Sequence, residues 1–281
     1  MTTSPADRFR AWLRRRRAPV LHVAGDTGGD GPVVVMIHGI ASSSVTFQNL
    51  VPLLESDHRC ITIDILGFGK SPAPPDWDYT LAEHAAALDA TIRSLKLRQP
   101  FILVGHSLGS LIATRYAARH PNGVTRLVLV SPPIYLPPQT IGDRVDRTGM
   151  GAYFTAYEFL RGNQDFTVRA AAALARIAPI KNVLEVTPEN WVPFTRSLQN
   201  AIESQTTVAD LAAVDAPVDL VYGTLDPFLA PGGLRIAERL RHVTAHRVSG
   251  NDHLVRPRLA EAVAAVVRGV QGADDAADER G

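Results

Sequence analysis

Residues 101–119 read FILVGHSLGSLIATRYAAR. Phe101 to Val104 are apolar without a break, the pattern of a short strand buried on both faces. From Leu108 the period lengthens: Leu108, Leu111, Ile112 and Tyr116 fall on one face, which predicts a helix over 108–119. Between them lies Gly105-His106-Ser107-Leu108-Gly109, a G-x-S-x-G pattern. Chance alone produces such a match in roughly one chain in ten of this length. The strand–turn–helix setting is what gives it weight, because a nucleophile elbow needs that setting. Such a turn strains the serine backbone, tolerates only small neighbours, and presents Oγ at a helix N-terminus that favours negative charge. The alternative is a glycine-rich turn without chemistry.

Working outward, further apolar runs predict strands at 33–37, 60–63, 127–130 and 218–222, with a weaker one at 245–248 and an edge strand at 20–23. Helical patterns stand between them at 47–54, 81–97, 234–240 and 258–267. Alternation of this kind implies an α/β fold, a mostly parallel sheet with helices on both faces. The rhythm breaks between Leu129 and Val218, where no strand is evident and 153–160, 168–177 and 191–204 look helical. A connection this long is not a bare loop. Residues 134–210 therefore read as a helical cap inserted over the C-terminal edge of the sheet, where open α/β folds bind ligands. Residues 1–133 and 211–270 form the core, and 271–281, with no apolar side chain larger than alanine, reads as a disordered tail.

Composition excludes several classes. The chain has 281 residues, 46% hydrophobic and 20% charged, with net charge +1, so no electrostatic footprint for nucleic acid is present. Cys60 is the single cysteine, which excludes an internal disulfide framework and a cysteine-based zinc site. The histidines show no metal-ligand spacing. No run approaches the roughly 20 apolar residues of a membrane span, and no secretory signal precedes the core, so a cytoplasmic location is the expectation. Residues 1–17 carry six arginines and one aspartate, and Phe9, Trp12 and Leu13 share a helical face. A membrane-surface patch is conceivable there, but a solvated helix packing on the body is favoured. Oligomeric state leaves no signal. Only three of the 29 basic residues are lysines, a bias that looks like the codon habit of a GC-rich bacterial genome and carries no mechanistic weight.

A serine nucleophile needs a base, and the base an orienting acid, both on loops after later strands. Asp226 follows the strand at 218–222, and His253 follows the weak strand at 245–248. Asp219 lies inside a strand, Asp215 at a strand's wrong end, and Asp252 reads as a loop brace. His246 is within a strand, His242 ends a helix, and His106 is the elbow's second residue, facing away from Oγ. The tetrahedral oxyanion needs two N–H donors. Leu108 N–H opens the helix after Ser107. Ile40 N–H follows Gly39 in His38-Gly39-Ile40, after the strand at 33–37, with Ala41 as the neighbouring candidate. His38 reads as a structural hydrogen-bonding group, and Ser42 to Ser44 as pocket lining or helix caps, with capping favoured.

Four motifs now coincide: His38-Gly39-Ile40, Asp64-Ile65-Leu66-Gly67-Phe68-Gly69-Lys70-Ser71, Gly105 to Gly109, and the pair Asp226 and His253. Over nearly the whole chain it resembles the α/β-hydrolase family, more narrowly its capped, lipase-like esterase and C–C hydrolase branch. The order serine, acid, histidine is that family's order. The resemblance implies a structural role for the Asp64 stretch and no cofactor or metal. Dehalogenases and epoxide hydrolases of the family carry an aspartate at the elbow, which Ser107 argues against. Ala41 to Ser44 departs from the glycine-rich loop of the C–C hydrolases.

The expectation is a serine hydrolase cleaving a small to medium apolar carboxylic ester through an acyl-enzyme: Ser107 as nucleophile, His253 as base, Asp226 as its orienter, Ile40 and Leu108 as oxyanion donors. C–C hydrolysis of a diketone-like substrate and cofactor-free perhydrolysis are alternatives on the same residues, and a ligand-binding receptor on this scaffold is the non-enzyme alternative. The partner expected is a small-molecule substrate. Candidate pocket walls are the cap aromatics Tyr153, Phe154, Tyr157, Phe159, Phe166, Trp191 and Phe194, with Trp191, Phe194 and Tyr153 singled out as substrate contacts.

Overall fold

The computed structural model describes residues 17–136, 144–177, 180 and 183–269. Outside the described residues lie Phe9, Trp12 and Leu13 with most of the Arg-rich segment, and the tail 271–281. The side chain of Tyr153, within an otherwise described helix, is also outside them.

Seven strands form one sheet: β1 (Val23–Asp26), β2 (Val33–Ile37), β3 (Arg59–Ile63), β4 (Phe101–His106), β5 (Val124–Val130), β6 (Val218–Gly223) and β7 (Val243–Val248). Their order is β1-β3-β2-β4-β5-β6-β7. Every neighbouring pair is parallel except β1 and β3. The expected mostly parallel sheet is therefore present. The edge strand begins later than the apolar run at 20–23 suggests. Leu21 N–H is taken by Thr91 Oγ1 and His22 N–H by Ser71 Oγ, each at 2.8 Å, so pairing starts at Val23 and is bulged before Gly25.

Helices cover both faces, and the strands' alternation explains how. Val35, Ile37, Leu103, Leu127 and Leu129 join one buried cluster with Leu88 and Ile92 of α1 (Leu81–Leu95) and Leu111 and Ile112 of α2 (Leu108–Arg119). Val34, Met36, Val104, Val128 and Val130 point the other way and pack with Leu259, Val263 and Val267 of the C-terminal helix Pro257–Val267. Thr80 and Glu83 start α1 with reciprocal side-chain-to-backbone bonds. The helix expected at 47–54 is two short pieces, Ser44–Phe47 and Val51–Leu54, since Pro52 has no N–H to continue the first.

Between β5 and β6 come α3 (Arg144–Gly162), α4 (Gln164–Ile177), α5 (Trp191–Ser197), a wider π-helical turn Leu198–Glu203 and α6 (Thr207–Ala212). The turn divides what the sequence reads as one helix over 191–204. Arg115 of α2 ion-pairs with Asp210 of α6 at 2.8 Å. No helix among the described residues is long and apolar enough to cross a membrane.

Candidate active site

Ser107 stands where β4 ends and α2 begins, with φ 52° and ψ −124°. A non-glycine residue at positive φ is strained by about 1–3 kcal/mol and persists only where its surroundings over-determine it. Here its N–H donates to Val130 O at 3.0 Å, and its carbonyl accepts from Ser110 N–H at 2.9 Å. The flanking glycines are steric necessities. A Cβ on Gly105 would lie 2.4 Å from Gly109 O, and one on Gly109 would lie 2.4 Å from Ile37 O. The elbow thus brings α2 against β4 and against the end of β2 at once.

The acid and the imidazole sit on neighbouring loops beyond β6 and β7. Gly223 lets those loops meet, since a Cβ there would be 2.1 Å from Asn251 O. His253 Nδ1 lies 2.8 Å from Asp226 Oδ2, and the other carboxylate oxygen accepts from Phe228 N–H at 2.9 Å. The Asp226 side chain is fully buried. A carboxylate can only accept, so Nδ1 carries the proton and the lone pair of the neutral ring is on Nε2. Phe228 and the imidazole pack edge to face, ring centroids 4.8 Å apart. Asp252 is taken up by Arg256 and Leu254 N–H.

A second acid–imidazole pair has the same sequence separation of 27 residues: His246 Nε2 is 2.8 Å from Asp219 Oδ1, and Arg126 Nε is 3.3 Å from Oδ2. The parallel register of β6 and β7 pairs Asp219 with Thr244, which puts His246, two residues on, on the same face as the carboxylate. The Asp219 pair lies within the strands. The Asp226 pair lies past their C-terminal ends, and His253 lines one cavity with Ser107. Asp219, expected to point into the packing, does so with an ionic partner that the sequence reading did not foresee.

His106 needs a correction. Set aside as a residue facing away, it lines the same cavity, donates from Nε2 to His253 O at 2.8 Å, and lies ring to ring with His253 at 4.9 Å. Burial pushes its pKa down to about 3, so it stays neutral. His242 does not end a helix: the helix before it stops at Ala237, and His242 Nε2 lies 3.0 Å from Leu211 O.

The loop after β2 passes directly over Ser107. A Cβ on Gly39 would come within 2.8 Å of Ser107 Cβ and 3.3 Å of its Oγ. Ile40 lines the cavity, and Leu108 is the first residue of α2, whose N–H has no partner within the helix. Ile40 adjoins Gly39, which packs on Ser107, and Leu108 follows Ser107 directly. His38 anchors the loop from below. Its Nε2 accepts from Ile65 N–H at 3.0 Å, so its Nδ1 is the donor to Gly39 O at 2.8 Å. Burial holds its pKa down at about 4. Asp64 accepts from Ser44 N–H and Lys70 N–H, each at 2.9 Å, and a Cβ on Gly69 would strike its carboxylate. Ser43 Oγ caps the turn Ser44–Phe47, while Ser42 lines the cavity.

The cavity has a volume of about 460 Å³ and opens onto Ser107 and His253. Its walls from the β5–β6 connection are mostly apolar, with Leu160, Val186, Phe194, Leu198 and Ile202 among them and Thr167 as a polar member. Among the described residues no lysine or arginine lines it. Phe194 reaches it. Trp191 is not among the lining residues and instead packs on Phe194, ring centroids 5.8 Å apart. Phe159 and Phe166 are half exposed and pack on each other. Tyr157 lines the cavity. The aliphatic wall residues carry no sequence signal of their own, since one-face apolar periodicity does not separate a cavity wall from a helix core.

A family model described as alpha/beta hydrolase fold matches residues 32–255. The chain is 39% identical over 113 residues to a probable lysophospholipase, BODYGUARD 1, of Arabidopsis thaliana, covering 38% of this chain and 24% of that protein. It is 37% identical over 134 residues to a cis-3-alkyl-4-alkyloxetan-2-one decarboxylase of Shewanella oneidensis, covering 47% of this chain and 42% of that protein. The matches thus span between a quarter and two fifths of those relatives. Among solved structures, a haloalkane dehalogenase of Bradyrhizobium elkani superposes with TM-score 0.68 at 22% identity, over 88% of this chain and 96% of that one.

Proposed function

The chain belongs to the alpha/beta hydrolase fold family, and we propose that within it the chain is a serine hydrolase cleaving a small to medium apolar carboxylic ester through an acyl-enzyme. One observation carries this reading: the strained Ser107 and His253, whose Nδ1 is held by the buried Asp226, open onto one apolar cavity. Two relatives lend support, one named a probable lysophospholipase and one a decarboxylase of an alkyl-substituted oxetanone. The likeness to a haloalkane dehalogenase carries the fold alone, because the elbow presents Ser107 where dehalogenases of the family present aspartate.

Ser107 Oγ attacks the ester carbonyl while His253 Nε2 takes its proton. Asp226 holds Nδ1–H and stabilises the imidazolium that forms. Ile40 and Leu108 N–H groups hold the oxyanion, an interaction worth most in a site closed to water. Collapse breaks the bond to the alcohol, which leaves with the proton from His253. Water, deprotonated by the same imidazole, then releases the acid. Residues 134–210 act as a cap whose walls bound the acyl chain. A cavity of about 460 Å³ lies within the small-molecule range.

The test is a panel of p-nitrophenyl esters from acetate to dodecanoate, run with wild type and Ser107→Ala. Turnover by wild type, lost in the variant, is expected. Equal turnover by both refutes the nucleophile, and no turnover of any ester by wild type refutes the ester reading.

A further inference from the structure

Tyr135 and Tyr157 form a hydroxyl pair that no step above uses. Tyr135 follows β5; Tyr157 is on α3 and lines the cavity. Both are buried, and their hydroxyls are 2.9 Å apart. Tyr135 Oη also donates to Phe228 O at 3.0 Å. A carbonyl only accepts, so the single Tyr135 proton goes there, and Tyr157 donates to Tyr135. Phe228 is the residue whose N–H holds Asp226 Oδ1 and whose ring packs against His253. An unbroken run of contacts therefore leads from α3 to the imidazole: Tyr157, Tyr135, Phe228, then Asp226 and His253 together. A satisfied buried hydroxyl chain rigidifies what it joins.

We propose, building on the reading of Ser107 as the nucleophile, that Tyr135 is a positioning residue with Tyr157 as its partner. The pair fixes residue 228, and through it the carboxylate of Asp226 and the ring plane of His253. The cap would thereby do more than bound the acyl chain: seating α3 makes the base competent.

The test uses the full chain with Tyr135→Phe, Tyr157→Phe and the double variant, which keep the rings and the cavity wall. Three quantities are read: the rate of Ser107 labelling by a fluorophosphonate probe, kcat and KM for p-nitrophenyl acetate and octanoate, and the thermal midpoint. Tyr135→Phe is expected to label about tenfold more slowly and to lose the same factor in kcat for both esters, with KM within about twofold, because small misplacements of reacting groups are costly. Tyr157→Phe should fall in the same direction by about threefold, and the double variant should be no worse than Tyr135→Phe, as expected of coupled residues. A lowered midpoint with wild-type labelling and kcat overturns the proposal. So does a changed octanoate-to-acetate ratio in KM with kcat intact, which would mark the pair as pocket wall. If Tyr135→Phe does not fold, Tyr157→Phe decides by the same criteria. Wild type that fails to label at Ser107 overturns the hydrolase reading and this proposal together; wild type that labels normally beside unaffected variants overturns this proposal alone.

Discussion

Alanine at position 105 would place its Cβ 2.4 Å from Gly109 O, 2.6 Å from Gly109 C and 2.7 Å from Ser110 Cα. Ordinary contact begins near 3.4 Å. All three atoms are backbone or Cα in the first turn of α2, so no side-chain rotation relieves the clash. The turn has to retreat from β4 by about 1 Å, and overpacking of this kind costs about 1–3 kcal/mol, with rigid backbone at the upper end. Ser107 lies between the two glycines and moves with the turn, and a displacement of about 1 Å from productive geometry costs about a hundredfold in rate. Gly105→Ala is thus expected to lower unfolding stability by about 3 kcal/mol and to slow fluorophosphonate labelling by about two orders of magnitude. Urea denaturation and labelling kinetics measure the two. Gly151→Ala is the control: α3 has nothing within 4 Å of a Cβ there, so stability should rise by about 0.5–1 kcal/mol with labelling unchanged. If Gly105→Ala kept wild-type stability and labelling, the tight elbow would be wrong.

Asp226→Asn should slow labelling by about three to four orders of magnitude by upsetting the imidazole tautomer. Asp219→Asn, in the other acid–imidazole pair, should leave labelling within about twofold and cost about 1–3 kcal/mol of stability; the reverse pattern would exchange their roles. Phe194→Ala enlarges the apolar cavity and should move the preferred ester to a longer acyl chain, mainly through KM; an unchanged chain-length profile would remove Phe194 from the pocket wall. His38, His84 and His106 are buried and neutral, with burial pushing their pKa values down to about 4, 3 and 3. The unfolded chain protonates them near pH 6.5, so their contribution is complete above that pH. It is lost as the pH falls toward 4, at up to about 1.4 kcal/mol per pH unit for each histidine. Urea midpoints that stay level from pH 8 to pH 5 would contradict this.

The sheet was legible because its strands are continuous apolar runs set between helical periods, and the candidate site because each group follows a strand at its C-terminal end. Ser107, Asp226, His253 and the Gly39 loop could be placed this way from local pattern alone. Contacts made across long sequence distances could not. His106 meets His253 over 147 residues, and Tyr135 meets Phe228 over 93, with no local signature at either end. Helical period placed Trp191 and Phe194 on one face without showing which of them reaches the cavity. The start of β1 was misplaced because side chains of Thr91 and Ser71 take the backbone donors of Leu21 and His22, a competition that β propensity does not register.

The central claim is that Ser107 becomes covalently modified with help from the Asp226–His253 pair. Intact-protein mass spectrometry after fluorophosphonate treatment, with peptide mapping and parallel assay of p-nitrophenyl ester hydrolysis, tests it most directly. The expected result is one adduct per chain, located on Ser107, growing in step with loss of hydrolysis and missing from folded Ser107→Ala. An adduct on another residue, or ester turnover by Ser107→Ala at the wild-type rate, would contradict it.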